Sequence, residues 1–222
     1  MTDAHCHCHW ECFEDFPLSS KLGFCAYAVN YADWKLLDDF DCELKAFGLH
    51  PWYVNESFEN LEIFLKNAKA LGEIGLDYLK QDIALKEVQK EKFKAQLGLA
   101  KKYSLPVTIH SVGATKDTLD ILDEDFEGRA KDILFHFANF LPDRKLYLKE
   151  SFFSFSKKSF AVKKALALID KLSIENILIE TDLFPKESDL QFCINEIARL
   201  KGLSKEYVEV AIDENFRRFY RL

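Results

Sequence analysis

Short apolar runs alternate along the chain with stretches in which apolar residues recur at three and four, a pattern that predicts strands separated by helices. The runs are Thr2–Cys6, Phe24–Val29, Leu44–Leu49, Leu71–Leu76, Val107–His110, Ile133–Phe137, Phe152–Phe155 and Ile177–Thr181. Several show no polar alternation, as expected of strands covered on both faces. Helical spacing is set by Phe58, Leu61, Leu65 and Ala68, and again by Phe93, Leu97 and Ala100. The second of these helices must end before Pro106, because the residue ahead of a proline avoids the helical region. Further helices are predicted over Thr115–Leu122, Ala161–Lys171, Leu190–Leu200 and Ser204–Phe219, the last with Ser204 as its N-cap. Strands alternating with helices predict a parallel sheet. Eight of them predict a (β/α)8 TIM barrel, compact at 222 residues against a typical ~250. No linker or internal repeat interrupts the pattern, so residues 1–222 are expected to form one domain.

Composition narrows the class. At 48% hydrophobic residues the chain can bury a sizeable core. No run approaches the ~20 apolar residues of a membrane span. No basic stretch leads into an apolar one at the N-terminus, so the expected setting is cytoplasmic, with no membrane contact. Cys6, Cys8, Cys12, Cys25, Cys42 and Cys193 follow no regular framework and read as thiols. The run Cys6, Cys8, Cys12 invites comparison with a zinc knuckle but lacks a second pair. The net charge of −7 argues against a protein that coats nucleic acid by bulk charge. It leaves room for an enzyme acting on phosphates, because bound cations reverse the local field.

In such a barrel the chemistry sits at the C-terminal ends of the strands. His5 and His7 are two apart at the first strand end, which on a strand puts them on one face, with Cys6 on the other. His50 follows the third strand, Glu73 lies in the fourth, His110 ends the fifth, His136 the sixth, and Asp182 follows the eighth. Each alone has a structural reading as a hydrogen-bonded histidine or a helix cap. Five of six histidines at strand ends make a metal centre the better reading. His5, His7 and Asp182 suit one ion, His110 and His136 another, with Glu73 as the bridge. Imidazole with carboxylate favours Zn, Mn, Fe, Co or Ni over Ca. Paired ions lower the pKa of a shared water, and Asp182 is placed to accept its proton.

With these residues in view, the chain resembles the TatD-type metal-dependent hydrolases, a branch of the amidohydrolase-like barrels. The resemblance is carried by Asp3-Ala4-His5-Cys6-His7, Gly48-Leu49-His50-Pro51, Gly72-Glu73-Ile74-Gly75-Leu76-Asp77-Tyr78, Gln89, Phe93, Gln96-Leu97, Leu105-Pro106-Val107-Thr108-Ile109-His110-Ser111, His136, Ile179-Glu180-Thr181-Asp182, Asn215 and Phe219. It implies a deoxyribonuclease that cuts phosphodiesters with one or two divalent ions (Zn, Mg or Mn). It implies His5, His7, Glu73, His110, His136 and Asp182 as ligands, Asp182 and Glu73 as catalytic, His50 in the substrate pocket, and Glu180 as support for the Asp182 strand end. DNA or another phosphodiester is the implied transient partner, and no obligate protein partner is expected. Lys157 and Lys158 meet a substrate phosphate or are simply a solvated pair. Trp10, Trp52 and Tyr78 stack on a base or pack the rim.

The chain departs from the family pattern in three places. Ser111-Val112-Gly113 stands where the family has an arginine. Phe137-Ala138-Asn139-Phe140 replaces a Cys-Phe-Ser-Gly run. Leu183-Phe184-Pro185 leads straight into the next helix. Two other functions therefore stay open: hydrolysis of a small amide or ester, and a barrel kept as a binding protein.

Overall fold

A computed structural model describes residues 1–8, 22–80 and 85–222. Eight parallel strands form one sheet in sequence order and curl into a nearly closed barrel: β1 Thr2–Cys6, β2 Gly23–Ala28, β3 Leu44–Phe47, β4 Ala70–Asp77, β5 Val107–Val112, β6 Ile133–Phe135, β7 Phe152–Phe155 and β8 Ile177–Ile179. The helices are α1 Tyr31–Asp39, α2 Leu61–Leu65, α3 Lys86–Lys102, α4 Thr115–Asp125, α5 Lys145–Glu150, α6 Lys163–Lys171, α7 Glu187–Lys201 and α8 Lys205–Tyr220.

Strand alternation sorts the core into two clusters. Cys25, Tyr27, Leu44, Ala46, Leu134, Phe152 and Leu178 pack inside the barrel, with Phe216, Phe219 and Tyr220 of α8. Ala26, Ala28, Phe47, Ile133, Phe135, Phe153, Phe155, Ile177 and Ile179 face outward into the larger cluster under the helices. Phe219 meets Phe152, the first residue of β7, with ring centroids 5.5 Å apart. α8 therefore plugs the end where the strands begin, and the opposite end is left for the polar residues.

The seam between β8 and β1 is closed by individual bonds. Asp182 N donates to His5 O at 3.0 Å and His7 N to Leu183 O at 2.7 Å. The buried Asp3 carboxylate accepts from Thr181 N at 3.1 Å and from Thr181 Oγ1 at 2.6 Å. Two glutamines on α3 grip the other side of the barrel. Gln96 accepts from Leu49 N and donates to Leu49 O (2.7 and 3.1 Å), and Gln89 does the same to Asp77 (2.9 and 3.0 Å). They are seven apart, so both lie on the helix face turned to the strands.

The elements follow the sequence pattern with some differences. α1 and α5 were not among the expected helices. α1 is capped by the Asn30 side chain, which accepts from Asp33 N at 3.0 Å, and it buries little beyond Trp34 and Leu37, so its apolar period is weak. α2 is shorter than the Phe58–Ala68 period suggested. β6 and β8 stop two residues early, because Phe137 (φ 44°) and Asp182 (φ 60°) turn left-handed and take the chain out of the ladder.

Candidate metal centre

The first strand end supplies two imidazoles. His5 is fully buried, sandwiched between the Tyr27 ring (4.1 Å) and the His136 ring (4.5 Å). His7 Nδ1 donates to Tyr27 O at 2.8 Å, which leaves its Nε2 as the lone-pair nitrogen. The two Nε2 atoms lie 3.2 Å apart.

Glu73 sits at the middle of the group because its strand is pressed closely against both neighbours. A Cβ at Gly48 would stand 2.7 Å from the Gly72 carbonyl carbon, and one at Gly75 would stand 2.0 Å from His110 O, so neither position accepts a larger residue. Glu73 Oε1 lies 3.1 Å from Nε2 of both His5 and His7. Its Oε2 lies 2.7 Å from His136 Nε2, 3.4 Å from His110 Nδ1 and 3.6 Å from His50 Nε2. Burial alone would raise this carboxyl. The neighbouring imidazoles, His136 first and then His5, hold it well below the usual range. Burial pushes His5 down to about 4. Burial also acts to lower His136, but Glu73 and Glu180 outweigh it and raise that imidazole well above its ordinary value.

Asp182 joins from the eighth strand end. Its Oδ1 lies 3.8 Å from His5 Nε2 and 3.9 Å from His136 Nδ1. The left-handed φ of 60° is one that aspartate tolerates better than most residues. Burial pushes its carboxyl up to about 6. Glu180 is fixed beside it, accepting from Phe137 N at 2.8 Å and from Ser154 Oγ at 2.5 Å. His136 Nδ1 is buried without a hydrogen-bond partner and faces Glu180 Oε1 at 3.7 Å.

The donors suit a cation. His7 Nε2 presents a lone pair to an ionised carboxylate oxygen and to another imidazole nitrogen, all within about 3.2 Å. Electron-rich atoms this close call for positive charge between them, supplied by a cation or, without one, by a proton on His5 Nε2. Ligand atoms of His5, His7, Glu73 and Asp182 all lie within 4.8 Å of one another, and imidazole with carboxylate is the donor chemistry of a divalent transition metal. On the other side of Glu73, His110 Nδ1 and His136 Nε2 lie 3.2 Å apart.

A cavity of about 310 Å³ opens above the group, walled by Val29, Trp52, Tyr53, Val112, Phe137 and Leu183, with Ser111 and Asn139 as polar members. His50 lines it too. Its Nδ1 accepts from Trp52 N at 3.1 Å, so its Nε2 carries the proton toward Glu73 and suits a donor better than a ligand. Lys157 does not line the cavity; its ammonium pairs with Asp189 Oδ1 at 3.0 Å. Trp10, His9 and Cys12 lie outside the described residues. Among the described residues no candidate ligand cluster contains a cysteine, and Cys6, Cys25, Cys42 and Cys193 are thiols. The sequence reading gave no role to Tyr27 or Asp77. Tyr27 sits mid-strand and carries no signal, whereas Asp77 is a carboxylate at a strand end and was open to notice.

The family profile described as TatD related DNase matches residues 2–221. The chain belongs to the TatD related DNase family. As a TatD chain it is a metal-dependent hydrolase. It is 29% identical over 208 residues to the uncharacterized metal-dependent hydrolase YabD of Bacillus subtilis, covering 85% of this chain and 81% of that protein. It is 27% identical over 177 residues to the human deoxyribonuclease TATDN3, covering 73% of this chain and 64% of that protein. The crystal structure of YJJV, a TatD homolog from Escherichia coli, shares the fold with a TM-score of 0.77 at 23% identity, over 99% of this chain and 98% of that one. Among the described residues the cavity wall includes neither lysine nor arginine.

Proposed function

We propose that this TatD chain hydrolyses phosphodiester bonds in nucleic acid, with DNA as the first substrate to examine, and that two divalent cations flank Glu73. The observation that carries the reading is the division of one buried carboxylate, Oε1 toward His5 and His7 and Oε2 toward His110 and His136. His5, His7 and Asp182 would hold one ion, His110 and His136 the other, with Glu73 shared; Zn, Mn or Mg are the candidates. When bound, such ions acidify a water and neutralise charge on the attacked phosphoryl group.

The remaining chemistry belongs to side chains. Asp182 Oδ1 faces the His5 and His136 rings and takes the proton of the attacking water. His50 Nε2, which faces Glu73 Oε2 at 3.6 Å, is left to donate to substrate. The apolar walls limit bulk water around the reacting group. Among the described residues no helix is long and apolar enough to cross a membrane. The thiols of Cys6, Cys25, Cys42 and Cys193 support a reducing, cytoplasmic setting.

A second reading, hydrolysis of a small ester or amide, draws on the cavity wall without lysine or arginine. A panel of single-stranded DNA, RNA, simple phosphodiesters, lactones and amides, each with Mg, Mn or Zn, separates the two. Cleavage of the nucleic acids and diesters is expected. Turnover confined to lactones or amides would transfer the assignment to the second reading.

A further inference from the structure

His110 stands apart from the other histidines around Glu73. It turns Nδ1 toward Glu73 Oε2 (3.4 Å) and His136 Nε2 (3.2 Å), whereas His5, His7 and His136 present Nε2. Its Nε2 faces away, 3.2 Å from Asp77 Oδ2. We infer that Asp77 is a positioning residue that fixes the His110 proton on Nε2 and so reserves Nδ1 for a cation. The consequence for cations rests on the metal-centre reading above; the tautomer does not.

Three donors already surround the buried Asp77 carboxylate. Asp77 Oδ1 accepts from Leu79 N at 3.0 Å and Lys80 N at 3.1 Å. Oδ2 accepts from Trp52 Nε1 at 2.7 Å. Backbone and indole N–H groups can only donate, so the carboxylate has three fixed donors and no need of a proton of its own. Toward His110 it can only accept, and a hydrogen bond at 3.2 Å then requires Nε2–H. A neutral imidazole with Nε2–H has its lone pair on Nδ1, the atom aimed at Glu73. Gln89 fixes the Asp77 backbone through its N–H and C=O, and the three donors hold the carboxylate on it. A carboxylate behind a ligating imidazole also raises its basicity as a ligand. His7 is oriented by the same device, with the Tyr27 carbonyl in place of a carboxylate.

The substitution Asp77→Asn should reverse the tautomer. The asparagine oxygen is claimed by the two backbone N–H groups, which leaves its NH2 facing Trp52 and His110. Nε2 must then accept, the proton moves to Nδ1, and the ligating lone pair is lost. In a Ser-His-Asp triad the same replacement produces the wrong tautomer with the geometry intact. Asp77→Asn also sets an NH2 against the Trp52 N–H, so the double variant with Trp52→Phe serves if the single one fails to fold.

The test is long-range 1H–15N correlation on histidine-labelled, metal-free protein at alkaline pH, where imidazoles are neutral, followed by Zn2+ titration calorimetry. In the wild type His110 should carry Nε2–H. In Asp77→Asn it should carry Nδ1–H, with one Zn2+ site weakened roughly 10–100-fold, and Asp77→Glu should restore Nε2–H. A wild-type His110 in the Nδ1–H form overturns the inference. So does an Asp77→Asn chain that keeps Nε2–H or binds Zn2+ like the wild type. If the wild type takes up no metal at all, the metal-centre reading fails, and the metal-free spectrum still decides the role of Asp77.

Discussion

Glu73 Oε2 lies 2.7 Å from His136 Nε2, and the other oxygen of the same carboxylate lies 3.1 Å from His5 and His7. One side chain thus joins histidines from the first and sixth strand ends. Glu73→Gln keeps the shape but removes the charge and replaces one acceptor by a donor. The expected outcome is at least ~10-fold weaker metal retention, read as metal per chain by elemental analysis after dialysis. A variant as metal-rich as the wild type would remove Glu73 from the centre.

Gln96 matters through the backbone of Leu49, the residue before His50. Replacing it by leucine removes two hydrogen bonds and strands a buried N–H and C=O. An unsatisfied buried group costs about 1–3 kcal/mol, so a loss of roughly 2–4 kcal/mol is expected in urea unfolding. A change below ~0.5 kcal/mol would show that water replaces the amide without penalty.

Stability should also carry an acid-side signature at Asp117, which is not one of the candidate ligands. Its carboxylate accepts from Lys90 Nζ at 2.8 Å and from Tyr78 OH at 2.8 Å. The Lys90 and Tyr78 hydrogen bonds lower its pKa from the ordinary 3.8. A depressed folded-state pKa stabilises the fold above the unfolded value, and the contribution disappears as pH falls through the folded one. Asp117→Asn should therefore cost stability at neutral pH and match the wild type in strong acid. Both partners are about a third exposed, so solvent screening keeps the neutral-pH difference near ~0.5–1 kcal/mol. Unfolding midpoints across the acid range check this, and a gap that widened on acidification would have the wrong sign.

Lys157 tests the line between a strand-end cation and a substrate contact. It pairs with Asp189 and lies outside the cavity wall. Exposed pairs contribute little, so Lys157→Ala should leave kcat/KM for a phosphodiester within about twofold. A large rise in KM would bring Lys157 back to the substrate.

Much of this was legible because the barrel repeats a simple pattern. Apolar runs such as Ile133–Phe135 and Ile177–Ile179 announce buried strands, and the polar residue after each run falls at the strand end by construction. That is why His5, His7, His110, His136 and Asp182 could be gathered before any geometry was known. α1 was hidden because it buries one narrow stripe, and α5 because a helix of six residues is too short to show a period. The proton on His50 Nε2 and the reversed ring of His110 were hidden for another reason. They depend on which partner stands behind each ring, Trp52 N in one case and Asp77 in the other, and no spacing along the chain encodes that.

The central claim is metal-dependent phosphodiester hydrolysis at this cluster. It is tested most directly by the cleavage rate of labelled single-stranded DNA as Mn2+ is returned to chelator-stripped protein, wild type beside Asp182→Asn. The account expects no cleavage without metal, saturable recovery in the wild type, and a rate lower by ~10²–10⁴ in the variant, the usual contribution of a positioned general base. Cleavage that ignores the metal, or an Asp182→Asn curve that overlays the wild type, would contradict it.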